Sequence, residues 1–277
     1  MKIHDESAID LGLLEELKID CSKCSGLCCV ALFFSKMDGF PEDKTAGIPC
    51  VNLRNDFKCK IHSELIKRKM RGCIGYDCFG AGQKVTQVIY NSSNWHTKPT
   101  KAQEMCDVFL AIFQLHQILY FLAEAKTIIP ARALWDDINV LVKEGREVCN
   151  STPHYILAYN IEKYKGQVNE ALKKVSNLIR ANYNPIKEEH NKNFIGKSYK
   201  EKNLSGMDFT MSLLIAADFE KCSFHGANFL GADTRDTNFS SADLSEAVFL
   251  TQGQVNSAKG NSHTKLPAYL CRPITWI

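Results

Sequence analysis

Residues 217–250 read ADFEK CSFHG ANFLG ADTRD TNFSS ADLSE AVFL, and the same five-residue pattern extends back to Lys202. A leucine or phenylalanine stands at the centre of each unit except at Thr234; the ten centres are Leu204, Phe209, Leu214, Phe219, Phe224, Phe229, Thr234, Phe239, Leu244 and Phe249. Most units have a small residue two positions before the centre and Asp or Asn directly before it. A period of five fits neither an α-helix, at about 3.6, nor a β-strand, at about 2.0. The segment is therefore a five-residue repeat and not an ordinary amphipathic helix or strand.

This pattern resembles the pentapeptide-repeat family, whose unit is Ala-(Asp/Asn)-(Leu/Phe)-X-X. The resemblance implies a right-handed quadrilateral β-helix, with one pentapeptide per side and the central and small residues pointing inward. In such a solenoid each unit buries its apolar face against its neighbours. We expect Cys222 to pack in this interior and Thr234 to need a backbone partner. We expect residues 252–277 to cap the open end, as C-terminal extensions do on many bacterial members.

Eight of the twelve cysteines lie within the first 78 residues: Cys21, Cys24, Cys28, Cys29, Cys50, Cys59, Cys73 and Cys78. The N-terminus carries no apolar stretch typical of a secretory signal, so we expect a cytoplasmic chain with reduced thiols. Clustered thiols in that setting favour metal ligands over disulfides. Four thiolates suit tetrahedral Zn²⁺ or an iron–sulfur cluster. Eight thiolates can make two four-coordinate sites, one binuclear site, or one site with spare thiols.

Cys28 and Cys29 are adjacent. In extended backbone, neighbouring side chains point to opposite faces, so these two thiols would serve different ions, or one would bridge or stay uncoordinated. His62 has ligand spacing from Cys59, although a lone histidine is more often a structural hydrogen-bonding residue.

The cysteine pattern of residues 21–80 resembles the zinc- or iron-chelating family named for its CxxCxxCC motif. Two departures concern the coordination: His62 stands where the family has tyrosine, and the first cluster has one extra residue between its second and third cysteines. With the repeats, the chain resembles longer bacterial members that end in pentapeptides.

Between these segments the sequence predicts helices. The apolar stretch from Val108 to Ala125 contains Gln114, His116 and Glu124, which suits a core helix better than a membrane span. Thr152-Pro153 is a typical helix start. We therefore predict an α+β multidomain protein: a cysteine-rich metal-binding module at 1–85, a helical bundle at 86–183, a linker at 184–201, the β-helix at 202–251 and the capping extension at 252–277.

Three functions follow from these parts. The first is a non-enzymatic scaffold or interaction protein with a structural cysteine-bound Zn²⁺ and an unknown protein partner. The second is an iron–sulfur redox sensor, electron carrier or cluster-dependent enzyme; the resemblance of the N-terminus to flagellin lysine N-methylases supports it. The third and most remote is a gyrase-interacting DNA mimic, for which the repeat is too short and weakly acidic. The net charge of +3 argues for neither nucleic acid nor a membrane surface as partner. No catalytic motif is present, and the oligomeric state is left open.

Overall fold

The computed structural model describes residues 2–184 and 192–277. Its contacts divide the chain into two compact units. The first unit combines the segment ending at Ile9 with Glu124–Trp135 and Ala171–Ile277, and the second combines Asp10–Ala123 with Asp136–Glu170. Each unit combines segments that lie far apart in the sequence. This division does not test the predicted domain boundaries, which stay predictions. Within the predicted linker, residues 185–191 lie outside the described part of the chain.

Helices are the regular elements of both units. The α-helices are α1 Leu11–Leu17, α2 Leu27–Ala31, α3 Arg71–Ile74, α4 Ala81–Gln83, α5 Ala102–Ala125, α6 Trp135–Cys149, α7 Pro153–Ala158, α8 Ile161–Arg180 and α9 Gln252–Ser257. A π-helix, Lys84–Ile89, follows α4. As predicted, Thr152 begins α7: its side chain accepts a hydrogen bond from the Tyr155 amide, and Pro153 holds the first helical position.

The apolar helix predicted for the core is α5. With the turn before it, Pro99–Ala125 is long and apolar enough to cross a membrane, yet 67% of its most apolar window is buried inside the protein. His116 on this helix is buried and its Nδ1 lies 2.6 Å from the Phe79 carbonyl oxygen. A mostly buried apolar helix with a hydrogen-bonded histidine is typical of a soluble protein's core, in agreement with the sequence prediction.

The pentapeptides form a coil, hereafter the pentapeptide coil, in which residues 20 apart lie side by side. Parallel bridges join Asn193 to Leu213, Asp208 to Asn228, and further pairs at the same spacing up to Val248. The residue two positions after the centre has a positive φ in every unit from Leu204 to Phe239, and so do Glu201 and Gly196, five and ten residues before Gly206. A left-handed residue at this point turns the chain sharply, which explains the glycines at 206, 226 and 231. Each five-residue unit therefore ends in a turn.

Side chains of the coil follow the period. All ten centres from Leu204 to Phe249 are buried, as are the residues two before them except Lys202. The Thr234 hydroxyl donates to the Gln254 carbonyl at 2.8 Å, which confirms the predicted backbone partner. Cys222 is buried and donates to the Tyr199 carbonyl, as expected for a packing residue. Where Asp or Asn stands before a centre, its side chain accepts a hydrogen bond from the amide two residues later, for example Asp208 from Thr210 at 3.0 Å.

The predicted α+β class with a quadrilateral β-helix is wrong. In residues 2–184 and 192–277 no β-strand or sheet is present, and the coil is joined by isolated bridges. The physical reason lies in the length of the unit. Two of five residues form the turn and a single residue makes the bridge, so no side is long enough for the three or more residues of a strand.

The C-terminal extension packs against the coil interior. Thr251 begins α9 with a capping box that Gln254 completes. Val255, Ala258 and Trp276 belong to the same buried cluster as the coil phenylalanines. The Trp276 indole donates to the Ala258 carbonyl at 3.2 Å. The apolar residues at this end are thereby covered.

Candidate functional site

The eight N-terminal cysteines lie on short elements that local side chains set up. Asp20 begins the 3₁₀ turn Cys21–Lys23 by accepting from the Ser22 amide at 3.0 Å. Gly26, with φ of 70°, precedes α2, which carries Cys28 and Cys29. These two were expected in extended backbone. On the helix their sulfur atoms lie 3.9 Å apart.

One set of thiols comprises Cys21, Cys24, Cys28 and Cys78, hereafter the first thiol group. The pKa of Cys78 is raised to about 12, mainly by burial, with contributions from the charges of Asp77, Cys24 and Cys21. A hydrogen bond with Cys29 raises the pKa of Cys28 most, followed by burial and then by the charges of Cys24 and Cys78. Cys24 raises the pKa of each of the other three members, so the four thiols are electrostatic neighbours.

The remaining four thiols, Cys29, Cys50, Cys59 and Cys73, form the second thiol group. Burial raises the pKa of Cys73 to about 12, with added contributions from the charges of Cys29, Cys59 and Cys50. The backbone joins two members directly, because the Cys50 amide donates to the Cys29 carbonyl at 2.9 Å. Cys29 also raises the pKa of Cys21 and Cys24, so it lies nearest the other group.

Backbone amides point at several of these sulfur atoms. The Asn52 amide lies 3.5 Å from the Cys50 sulfur. Amides of Gly26 and Leu27 lower the pKa of Cys24 against the rise that burial causes, and the Ile61 amide does the same for Cys59. An N–H donor favours the charged sulfur, which is the form that binds metal. The donor set is therefore chemically suited to thiolate coordination.

Three residues that the sequence analysis overlooked support the thiols. The Lys44 ammonium donates to the Val30 and Ile48 carbonyls at 2.9 and 2.7 Å, and its charge lowers the pKa of Cys29. Thr86, on the π-helix, hydrogen-bonds Cys24. A Cβ on Gly82 would come 2.5 Å from the Cys24 sulfur. The closely spaced glycines Gly80 and Gly82 after Cys78 were the available signal for Gly82, whereas nothing local marks Lys44 or Thr86.

The predicted coordination itself stays a prediction. Within 2–184 and 192–277, no group of three or more His, Cys, Asp or Glu side chains is arranged to hold a metal ion. The thiols are electrostatic neighbours that would have to close further around an ion. His62 is exposed on a 3₁₀ turn. Cys106 and Cys149 are buried, and Cys106 lies close enough to Lys44 to influence its pKa.

Comparison with known proteins agrees with the repeat. The pentapeptide-repeat family matches residues 212–249 in eight copies. The chain is 39% identical over 278 residues to the uncharacterized protein YybG of Bacillus subtilis (strain 168), covering 99% of this chain and 98% of the relative. The likeness therefore includes the cysteine-rich segment as well as the coil. On this full-length similarity, the chain belongs to the family of pentapeptide-repeat proteins that includes YybG.

Proposed function

We propose that this pentapeptide-repeat protein is a non-enzymatic metal-binding protein whose two thiol groups each bind one Zn²⁺. The division of eight thiols into two sets of four carries the proposal. Tetrahedral zinc takes four thiolates, and a structural site of this kind is closed. Cys21, Cys24, Cys28 and Cys78 would hold one ion, and Cys29, Cys50, Cys59 and Cys73 the other.

The bound ion would add folding free energy to a segment whose regular elements are short. The helices between residues 10 and 80 span seven residues at most. Its buried apolar residues include Leu13, Leu17 and Leu27 and a small cluster of Phe40, Ile61 and Met70. Helices this short are marginal alone, and zinc binding is itself folding free energy for such segments. The chain's own residues prepare the site: amides stabilise the thiolates, and Lys44 offsets their charge.

The test is metal analysis of protein purified without oxygen, together with its visible spectrum. We expect two zinc ions per chain and no colour. Replacing Cys78→Ser or Cys73→Ser should each remove one zinc ion, because the two thiols belong to different groups. Cys271→Ser is the matched control, since Cys271 is exposed near the C-terminus, and it should keep both ions. Protein that carries no metal would contradict the proposal.

An iron–sulfur protein is the second candidate, and the amide donors to sulfur favour it. Hydrogen bonds to cluster sulfurs are one of the means by which proteins set reduction potentials. Visible absorbance with acid-labile sulfide in the same preparation would select this candidate over zinc. The protein would then be a redox sensor, an electron carrier or a cluster-dependent enzyme.

The coil is proposed as the surface for a protein partner, and its charges weigh against a DNA mimic. Carboxylates on it are paired with lysines: Glu220 with Lys200 at 2.9 Å, Glu201 with Lys221 at 3.0 Å and Asp243 with Lys265 at 2.9 Å. A mimic of a phosphate backbone needs an uncompensated row of negative charge. Pulldown of gyrase with the full chain would overturn this conclusion.

A further inference from the structure

A cavity that uses none of the cysteines lies where α7 meets α8. It has a volume of about 320 Å³, and its walls include Tyr155, Tyr159 and Tyr164 together with Glu144 and Lys163. Helix α7 ends at Ala158, Tyr159 is extended, and Asn160 then begins α8 by accepting from the Lys163 amide at 2.9 Å. This volume is at the lower end of the range for small-molecule sites, roughly 300 to 1,000 Å³.

Two of the three aromatic side chains, Tyr164 and Tyr159, are held in place by hydrogen bonds before any ligand binds. Tyr164 is buried, and its hydroxyl donates to the Leu141 carbonyl at 2.7 Å. Gly145 leaves room for that ring, since a Cβ there would lie 2.5 Å from the Tyr164 hydroxyl oxygen. The Tyr159 hydroxyl donates to Glu144 at 2.6 Å. Fixed side chains lose little conformational freedom on binding, so the cavity is preorganised.

The three tyrosine rings that line the cavity lie at different angles to one another, and the ring of Tyr164 is buried. Tyr159 lies 6.0 Å from Tyr164 at 63° between ring planes, and 6.4 Å from Tyr155 at 27°. The faces of aromatic rings attract cations, and groups of them recognise methylated ammonium ions. Glu144 adds a negative charge to the same wall. A primary ammonium would need three acceptors, whereas one Glu144 oxygen already accepts from Tyr159.

The cavity also has a positive side. Lys163, one turn into α8, is among the lining residues, and its charge opposes that of Glu144. A simple cation would meet repulsion from this lysine and a simple anion repulsion from the carboxylate. A ligand that carries both charges can satisfy both.

We propose that this cavity binds a small zwitterion of the betaine class, with a methylated ammonium on the tyrosines beside Glu144 and a carboxylate toward Lys163. The site is independent of metal binding, so loss of zinc and loss of this ligand are separate outcomes.

The test is an NMR titration of the ¹⁵N-labelled full chain with glycine betaine, with choline as the cation that lacks the carboxylate. We expect saturable shifts of the Asn160 and Lys163 amides with a Kd on the order of 1 mM. Tyr155→Leu should weaken betaine binding about two- to fivefold. Because Tyr155 is 53% exposed, the fold should tolerate this change.

The charged variants separate the two ends of the ligand. Glu144→Gln should weaken both betaine and choline, whereas Lys163→Gln should weaken betaine alone. Glu147→Gln and Lys165→Gln, on the same helices but not in the lining, are the matched controls and should bind as the parent does. The proposal is overturned if betaine causes no saturable shift up to roughly 50 mM, or if the lining variants bind like their controls.

Discussion

Replacing Glu124 with glutamine should make the protein more stable at neutral and alkaline pH. Glu124 is buried at the end of α5 and its Oε1 accepts from the Phe249 amide at 2.7 Å. Burial raises the pKa of this carboxyl from 4.5 to about 8, although hydrogen bonds from Phe249 and Tyr269 oppose the rise. His4 and Thr127, which are hydrogen-bonded to each other at 2.9 Å, are also buried in this unit.

The direction in which pH changes the stability follows from proton binding to the Glu124 carboxyl. Between pH 4.5 and about 8 the native carboxyl keeps a proton that the unfolded chain releases. Its contribution to stability is fully present below pH 4.5 and is lost as the pH rises to about 8. A rise of about 3.5 pKa units corresponds to about 5 kcal/mol over the whole range, and to about 3 kcal/mol between pH 4.5 and pH 7.

Glutamine keeps the acceptor for the Phe249 amide and cannot ionise. We therefore expect the Glu124→Gln variant to lose several kcal/mol less stability than the parent between pH 5 and pH 8.5. The assay is urea unfolding at a series of pH values, followed by tryptophan fluorescence, because Trp276 is buried in the same unit.

The control is Glu201→Gln, at an exposed ion pair whose loss should cost no more than about 1 kcal/mol at any pH. Parallel stability curves for the parent and the Glu124→Gln variant would refute the reasoning.

Three further predictions concern single buried groups. Thr234→Val removes the donor to the Gln254 carbonyl, so urea unfolding should show a loss of about 1 kcal/mol; an unchanged midpoint would mean that this bond contributes nothing. Gly82→Ala should lower the thermal midpoint through a clash with the Cys24 sulfur worth about 1–3 kcal/mol. In the control Gly166→Ala the added Cβ meets nothing within 4 Å, so the thermal midpoint should rise. A higher midpoint for Gly82→Ala than for Gly166→Ala would contradict the geometry. Burial lowers the pKa of His116 to about 4, so stability should fall as the pH drops from 6.5 toward 4, and NMR should show its ring neutral at pH 5.5; a ring that titrates near 6.5 would disprove this.

The repeat was the most predictable part of the molecule, because its five-residue period predicts which side chains face inward. Every predicted centre, including Thr234, is buried. The class of the fold was not predictable by the same means. A period of five says which residues recur on a face, but not how many successive residues can bridge, and the turn after each centre leaves room for one.

The thiols illustrate the opposite case. Their identity was evident from composition, but their division depends on tertiary structure, since Cys73 and Cys78 are only five residues apart and belong to different groups. Lys44 could not have been found from sequence, because its two carbonyl partners come from the Val30 and Ile48 backbone. The cavity of three tyrosines was missed for a similar reason: Glu144 reaches Tyr159 across 15 positions of the chain.

The 20-residue spacing of the bridges has a consequence for how this family can change in length. Deleting one pentapeptide would keep every centre in phase, but the pairs of residues that span the deletion would be only 15 residues apart instead of 20 and would no longer match. A deletion between Asp243 and Phe249 would break the bridges of Asn238 with Lys259 and of Asp243 with Lys265, and with them the alignment of the C-terminal extension. Deleting or inserting 20 residues restores every pairing. Relatives should therefore differ in the length of this segment by whole turns of the coil. Insertions and deletions in the coding sequence here should come in multiples of 60 base pairs.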